Sequence, residues 1–157
     1  GIVVDLRENP GGLLMSVVDI ISEFIPKNEL ILYELDGNGY RKNWLSKDLG
    51  NHQEIPMVIL VNEFSASGSE VLAGALQDLD RAVVIGETTF GKGSVGIQRR
   101  LSNEGGIYYT VAKWFTPKGR VIEENGLEPD VVVKNKANET DDLQMMAAIT
   151  QLDFQLK

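Results

Sequence analysis

Short apolar runs alternate with turn residues along this chain. Ile2-Val3-Val4, Met57-Val58-Ile59-Leu60-Val61 and Ala82-Val83-Val84-Ile85 have the length of a buried strand, and Val131-Val132-Val133 is a later run of the same kind. Uninterrupted apolar runs of this length are typical of strands that are covered on both faces, as in a parallel sheet. The pattern therefore predicts that these segments form the β core.

Apolar residues at helical spacing follow two of the runs. After the turn Asn9-Pro10-Gly11-Gly12 we expect a helix that ends at Pro26. Its predicted apolar face is Leu13, Leu14, Val17, Val18, Ile20, Ile21, Phe24 and Ile25, with Ser16, Asp19, Ser22 and Glu23 opposite. A second helix is predicted to begin at Ser67 or Ser69, with Val71, Leu72, Ala75, Leu76 and Leu79 on one side.

The remaining segments favour strands in an antiparallel arrangement. Leu30, Leu32 and residues 40–44 predict a hairpin around Asp36-Gly37-Asn38-Gly39, and Gly106 to Phe115 alternates as a strand does. A last helix is predicted from a cap at Thr140-Asp141-Asp142 to about Leu152. The order strand, helix, strand, helix, strand predicts a right-handed parallel α/β core with an antiparallel β appendage.

Composition narrows the class of protein. The 157 residues, 43% of them hydrophobic, are expected to form one folded domain, residues 1–157. A net charge of −8 argues against nucleic acid as a partner, and the absence of cysteine excludes thiolate chemistry and disulfides. No apolar run approaches the ~20 residues of a membrane span. Because the chain begins Gly-Ile-Val-Val, we expect a fragment of a longer protein.

The serine cluster Ser65-Ala66-Ser67-Gly68-Ser69-Glu70 directly follows the clearest strand. Such a cluster can simply cap the next helix, or it can present a nucleophile beside the free N–H groups of the first helical turn. The single histidine, His52, lies in a polar stretch and is interpreted as a surface loop residue. A serine nucleophile here would therefore need a base other than imidazole, and a desolvated lysine is the usual substitute.

Lys92 is the candidate for this base. Residues 86–92 spell GxxxxGK, but Gly93 stands where a nucleotide-binding P-loop needs Ser or Thr, and a strand is predicted next instead of a helix. A lysine becomes a base near neutral pH only where burial disfavours its ammonium form. We therefore expect Lys92 to be buried if it is catalytic.

Several other polar and aromatic residues are expected to have structural roles. Asp5 and Arg7 end the first strand and are expected to pair with each other or with Glu87. Trp44 and Trp114 are expected in the core or in a groove. The carboxylates show no metal-ligand spacing, so the sequence predicts no metal site and no cofactor.

Several stretches together resemble the carboxyl-terminal processing peptidases, the tail-specific serine proteases of the S41 type. They are residues 61–70, 74–78, 86–95, 116–120 (Thr-Pro-x-Gly-Arg), 5–12 (Asp-Leu-Arg-x-Asn-Pro-Gly-Gly) and 126–130. The resemblance implies a crotonase-like (ClpP-like) core and peptide-bond hydrolysis through a Ser-Lys dyad and an acyl-enzyme. It further implies Ser67 as nucleophile, Lys92 as base, oxyanion donation by the backbone of Gly68 and Gly12, and a supporting role for Asp78.

The chain departs from the family pattern at Gly96, where the family usually has a glutamine that orients the lysine. Gln98, two residues further on the same face of a strand, is the candidate to replace it. The family's PDZ domain and N-terminal segments are also missing, so we expect this fragment to be weakly active or inactive. Two alternatives stay open, a non-catalytic peptide-binding or scaffold module and a crotonase-like acyl-CoA enzyme.

The resemblance also implies partners and a location. The substrates would be proteins with apolar C-terminal tails. The parent protein would be extracytoplasmic, in the periplasm or cell envelope, and associated with a membrane through segments outside this chain.

Overall fold

The computed structural model describes residues 1–50, 52–135 and 141–156. Thr140, where the last helix was predicted to be capped, lies outside these ranges. The strands are β1 (Ile2–Asp5), β2 (Leu30–Asp36), β3 (Arg41–Leu45), β4 (Met57–Val61), β5 (Val83–Gly86), β6 (Ser94–Arg100), β7 (Gly106–Phe115) and β8 (Val131–Val132), and the helices are α1 (Leu14–Ser22), α2 (Gly68–Asp78) and α3 (Leu143–Gln155).

The first sheet is parallel and has the strand order β1-β4-β5-β8. Every residue of β4 is buried, because both faces of the sheet are covered. Met57, Ile59 and Val61 belong to the core shared with α1 and α2. Val58 and Leu60 pack on the opposite face with Ala148 of α3. The predicted parallel core is confirmed.

The second sheet is antiparallel, in the order β3-β2-β7-β6. The predicted hairpin is present, since β2 pairs with β3 and Asp36 accepts hydrogen bonds from the backbone of Asn38 and Tyr40, both at 2.8 Å. Trp114 at the base of β7 is buried in the main core, as predicted. The chain is thus a mixed α/β fold with an antiparallel β appendage.

Helix α1 differs from its prediction. It ends at Ser22, four residues before Pro26. Leu13 and Ile20 were predicted to be buried but are 78% and 48% exposed. Ser22 was predicted to face outward but is fully buried, because its hydroxyl donates to the Val18 carbonyl at 2.6 Å and accepts the N–H of Lys47 at 2.9 Å.

Helix α3 is capped by Asp142, whose carboxylate accepts the N–H of Met145 at 3.0 Å. Arg7 pairs with Asp5 at 2.7 Å, one of its two expected partners, and also with Asp142 at 2.9 Å. The other expected partner, Glu87, pairs with Lys134 instead at 3.3 Å. The hydrogen bonds from Arg7 hold the pKa of the Asp142 carboxyl well below its usual range.

Of the helices in the described ranges, none has the length and apolarity that crossing a bilayer requires.

Candidate active site

Ser67 stands at the turn between the central strand and helix α2. Strand β4 ends at Val61 and α2 begins at Gly68, so the serine lies at the carboxyl edge of the parallel sheet. Its φ of 55° and ψ of −114° fall in a region that non-glycine residues rarely occupy. Backbone strain of this kind is of order 1–3 kcal/mol and clusters at functional sites. A strained strand-to-helix turn is also how other hydrolases expose a nucleophilic serine.

The two neighbouring serines have structural roles. The hydroxyl of Ser65 is buried, donates to the Leu6 carbonyl at 2.8 Å and accepts the N–H of Asn62 at 3.0 Å. The hydroxyl of Ser69 donates to the Asn9 carbonyl at 3.0 Å. Both hydroxyls therefore tie the serine loop to the segment that follows β1.

That segment brings the Gly11-Gly12 turn against Ser67 and Gly68. A Cβ added to Gly11, whose φ is +96°, would lie 2.5 Å from the Gly68 nitrogen and 3.0 Å from the Ser67 Cβ. A Cβ added to Gly68 would lie 3.0 Å from the Gly12 nitrogen. The structure thus brings together three of the predicted site residues, Ser67, Gly68 and Gly12.

The N–H groups of Gly68 and Gly12 are available as donors. Gly68 is the first residue of α2, where an N–H has no partner within the helix. Across the three described ranges, neither of these two N–H groups donates a hydrogen bond. Two free donors beside a serine are the arrangement that can stabilise a developing oxyanion.

The backbone of Lys92 lies near that of Ser67 but belongs to a different loop, and within the described ranges no hydrogen bond joins the Lys92 amine to the Ser67 hydroxyl. Lys92 lies between β5 and β6, and its backbone N–H donates to the Glu70 carboxylate at 2.9 Å. The burial that a catalytic Lys92 was expected to need is not present in the structure, since Lys92 is exposed while the flanking Gly91 and Gly93 are buried. The lysine forms part of the wall of a depression of about 410 Å³ that is open to solvent; the other lining residues are Glu8, Pro10, Phe64, Ala66 and Phe90.

Glu70 is a site residue that the sequence analysis missed. Its carboxylate is fully buried. Oε2 accepts the backbone N–H of Ser67 at 2.8 Å and that of Lys92 at 2.9 Å. Oε1 accepts the Thr89 hydroxyl at 2.5 Å and the Gly91 N–H at 2.7 Å. The sequence did carry a signal, since Ser67-x-x-Glu70 at a helix start matches the capping-box pattern.

Asp78 is the last residue of α2, ten residues after Gly68 and about 15 Å from the serine end at the rise of an α-helix. Its buried carboxylate pairs with Arg120 at 2.5 Å and accepts the Lys118 N–H at 2.8 Å. Asp78 thus anchors the turn after β7 to the far end of the helix that begins beside Ser67.

Gln98 is not brought to Lys92. It lies on β6 opposite Tyr108, and it lines a different depression, with Arg100 and residues 104–106. Gly96 and Gln98 do share one face of β6, as predicted, since they pair with Thr110 and Tyr108.

The sequence model of peptidase family S41 matches residues 1–133. This chain belongs to peptidase family S41.

Relatives of this S41 chain are named as C-terminal processing proteases. The carboxyl-terminal-processing protease of Synechocystis sp. is 42% identical over 134 residues, which are 85% of this chain and 31% of that protein. The carboxy-terminal processing protease CtpB of Bacillus subtilis is 37% identical over 134 residues, 85% of this chain and 28% of that protein. The chain therefore spans about a third of the length of these relatives or slightly less.

A solved structure agrees with the family. The photosystem II D1 C-terminal processing protease matches 94% of this S41 chain with a TM-score of 0.80 and 35% identity, over 37% of its own length. The likeness covers both sheets of the fold.

Proposed function

We propose that residues 1–157 form the protease core domain of a serine endopeptidase that cleaves proteins near their C-terminus, with Ser67 as nucleophile and Lys92 as general base. One observation carries the proposal. The backbone nitrogens of Ser67 and Lys92 each lie within 2.9 Å of the same oxygen atom, Oε2 of Glu70. Two residues 25 positions apart in the chain are therefore neighbours at one edge of the parallel sheet.

In the proposed mechanism the Lys92 amine removes the proton from the Ser67 hydroxyl as Oγ attacks the scissile carbonyl carbon. The carbonyl oxygen becomes an oxyanion that accepts hydrogen bonds from the N–H groups of Gly68 and Gly12. Collapse of this intermediate breaks the peptide bond, and the Lys92 ammonium returns its proton to the leaving amine. Water then hydrolyses the acyl-enzyme by the same route.

Because Lys92 is exposed, the proposed mechanism requires the bound substrate to shield its amine from water. A lysine amine is a poor base while water stabilises its ammonium form. A peptide seated in the depression between Phe64 and Phe90 would cover the amine and remove that water. We therefore propose that the base is activated by substrate binding.

The same depression supports apolar tails as substrates. Phe64 and Phe90 are 54% and 65% exposed, and with Pro10 and Ala66 they give the depression largely apolar walls. Apolar side chains of a bound tail would bury this surface. An extracytoplasmic location, in the periplasm or cell envelope, is proposed from the family resemblance, and the absence of cysteine is compatible with it.

The experiment is cleavage of a peptide with an apolar C-terminal tail by the full-length protein that contains residues 1–157, as wild type and with Ser67→Ala or Lys92→Ala. Each substitution removes a reacting group, so kcat should fall at least ~1,000-fold with the fold unchanged. Ser102→Ala and Lys118→Ala, which alter exposed residues in surface turns, serve as matched controls. Turnover close to wild type in either active-site variant would refute the mechanism.

A second function, a peptide-binding module without catalysis, is favoured by the exposure of Lys92. It predicts that the wild-type protein binds the tail peptide without cleaving it and that Ser67→Ala binds equally well. Binding measured by fluorescence anisotropy, with the products followed by mass spectrometry, separates the two functions.

A further inference from the structure

We propose that Glu70 is a positioning residue that fixes the Ser67 loop relative to the Lys92 loop and so sets the rate of catalysis. This inference rests on the proposed Ser67–Lys92 dyad. Glu70 does not contact the substrate in this account. It acts through the backbones of the two residues that react.

One atom of Glu70 joins the two loops. Oε2 of Glu70 accepts N–H groups from both Ser67 and Lys92, so a shift of either backbone breaks a hydrogen bond to a buried charge. Bonds that involve a charged acceptor are roughly twice as strong as neutral ones. The contact with Ser67 also holds a backbone whose φ of 55° is strained.

The carboxylate of Glu70 has no counter-ion among the described residues. Within the described residues no lysine or arginine pairs with Glu70, although its side chain is fully buried. A buried carboxylate is tolerated only when hydrogen bonds replace its hydration. Its four donors all come from the two loops, at Ser67 and at residues 89–92. The charge is therefore satisfied only when both loops are in place.

The lysine loop is held from its other side as well. The Gly93 N–H donates to the Glu123 carboxylate at 2.7 Å, and the Gly91 carbonyl accepts the N–H of Glu124 at 2.9 Å. The backbone around Lys92 is thus fixed on both sides while its side chain stays exposed. Fixing only the backbone leaves the amine free to reach the nucleophile and then the leaving group.

Thr89 extends the same connection. Its hydroxyl donates to Oε1 of Glu70 at 2.5 Å and accepts the N–H of Leu127 at 2.7 Å. Replacing Thr89 with valine keeps the side-chain shape and removes the hydroxyl, whereas serine keeps the hydroxyl. This pair of substitutions tests the connection without altering the charge.

The experiment measures kcat and KM per folded molecule for Glu70→Ala, Glu70→Gln, Thr89→Val and Thr89→Ser, with folding checked by circular dichroism. Glu63→Gln is the matched control, because Glu63 is exposed and precedes the same serine loop. Misplacement of reacting groups by about 1 Å can lower the rate about 100-fold. We expect a loss of that size in kcat for Glu70→Ala and a smaller loss for Glu70→Gln, which keeps one acceptor oxygen.

In each case KM should stay within about threefold of wild type, since the substrate contacts are unchanged, and a large kcat effect with little KM effect marks an interaction made in the transition state. Thr89→Val should lower kcat and Thr89→Ser should restore it. A purely structural role would lower the melting temperature and leave kcat per folded molecule unchanged.

Two results overturn the inference. One is wild-type kcat in folded Glu70→Gln while Ser67→Ala and Lys92→Ala are inactive. The other, which decides the matter if the Glu70 variants do not fold, is wild-type kcat in Thr89→Val. Retained hydrolysis in Ser67→Ala or Lys92→Ala is a different outcome, because it refutes the proposed function itself.

Discussion

The phenol of Tyr108 lies across Gly96 on the neighbouring strand. A Cβ added to Gly96 would be 1.9 Å from the Tyr108 hydroxyl oxygen and 2.0 Å from its Cζ. The register pairs Gly96 with Thr110, not with Tyr108, so the ring reaches its neighbour diagonally. The space that a glutamine side chain would occupy at position 96 is therefore filled from the next strand.

The first prediction concerns this contact. Gly96→Ala should be nearly neutral in stability, within about 1 kcal/mol, because alanine suits a strand better than glycine while the exposed Tyr108 ring must swing aside. In a Tyr108→Ala background the same substitution should be stabilising. Urea unfolding of the two single variants and the double variant measures the coupling free energy. A coupling of zero would show that the ring does not occupy the space beside Gly96.

The second prediction concerns the turn beside the serine. Gly11→Ala should destabilise the protein by about 1–3 kcal/mol, since Gly11 has a φ of +96° and its Cβ would lie 2.5 Å from the Gly68 nitrogen. The hydrolytic rate should fall further than stability alone explains, because the turn that carries the Gly12 N–H is displaced. Thermal melts and peptide hydrolysis are the measurements.

Gly12→Ala is the matched control for stability. A Cβ on Gly12 meets no atom within 4 Å, so its melting temperature should stay close to that of the wild type. Equal destabilisation by the two substitutions would contradict the close packing of Gly11 on the serine loop.

The third prediction concerns pH. The hydrogen bonds from Arg7 lower the pKa of Asp142 in the folded chain, whereas the unfolded chain has the ordinary value of about 3.8. The unfolded state therefore takes up protons first on acidification, and the stabilisation by Asp142, complete above about pH 5, is lost as the pH falls towards the lowered value. Arg7 also lowers the pKa of Asp5, which adds to the same trend.

Asp142→Asn isolates the charge, because asparagine is an equally good helix cap. At pH 7 the variant should be less stable by about 0.5–1 kcal/mol, the range for a partly exposed ion pair. The difference from wild type should shrink between pH 5 and pH 3 in urea unfolding experiments. Asp153→Asn, which alters an exposed residue of the same helix, is the control. A difference that does not vary with pH would refute the assignment.

The parallel core was predictable because each buried strand is a continuous run of apolar residues in the sequence. The residues Met57 to Val61 are all apolar, and β4 is buried throughout. Helix α1 was less predictable, because the burial of Ser22 depends on a hydrogen bond to Lys47, 25 positions away. Hydrophobic periodicity cannot predict that a polar side chain is buried when its hydrogen bonds are made to other parts of the core.

The site was predictable to a different degree at each residue. A strand that runs into a serine cluster and a helix indicated where a nucleophile could lie, and the resemblance supplied the choice of Ser67 and Gly68 and their proposed roles. The exposure of Lys92 could not be predicted, because it depends on which other segments cover the loop. Glu70 could have been found from the capping-box spacing, but its contacts with the lysine loop arise only from the folded topology.

The dihedral angles of Ser67 are unfavourable for stability, whereas the proposed mechanism requires its hydroxyl. Glycine would be the least strained residue at this position, since it lacks the Cβ that makes a positive φ unfavourable. Ser67→Gly would relax the turn and would also remove the hydroxyl that attacks the peptide bond in the proposed mechanism. If stability alone determined the residue, glycine would be favoured at this position, and the proposed nucleophilic role of Ser67 accounts for a serine in its place.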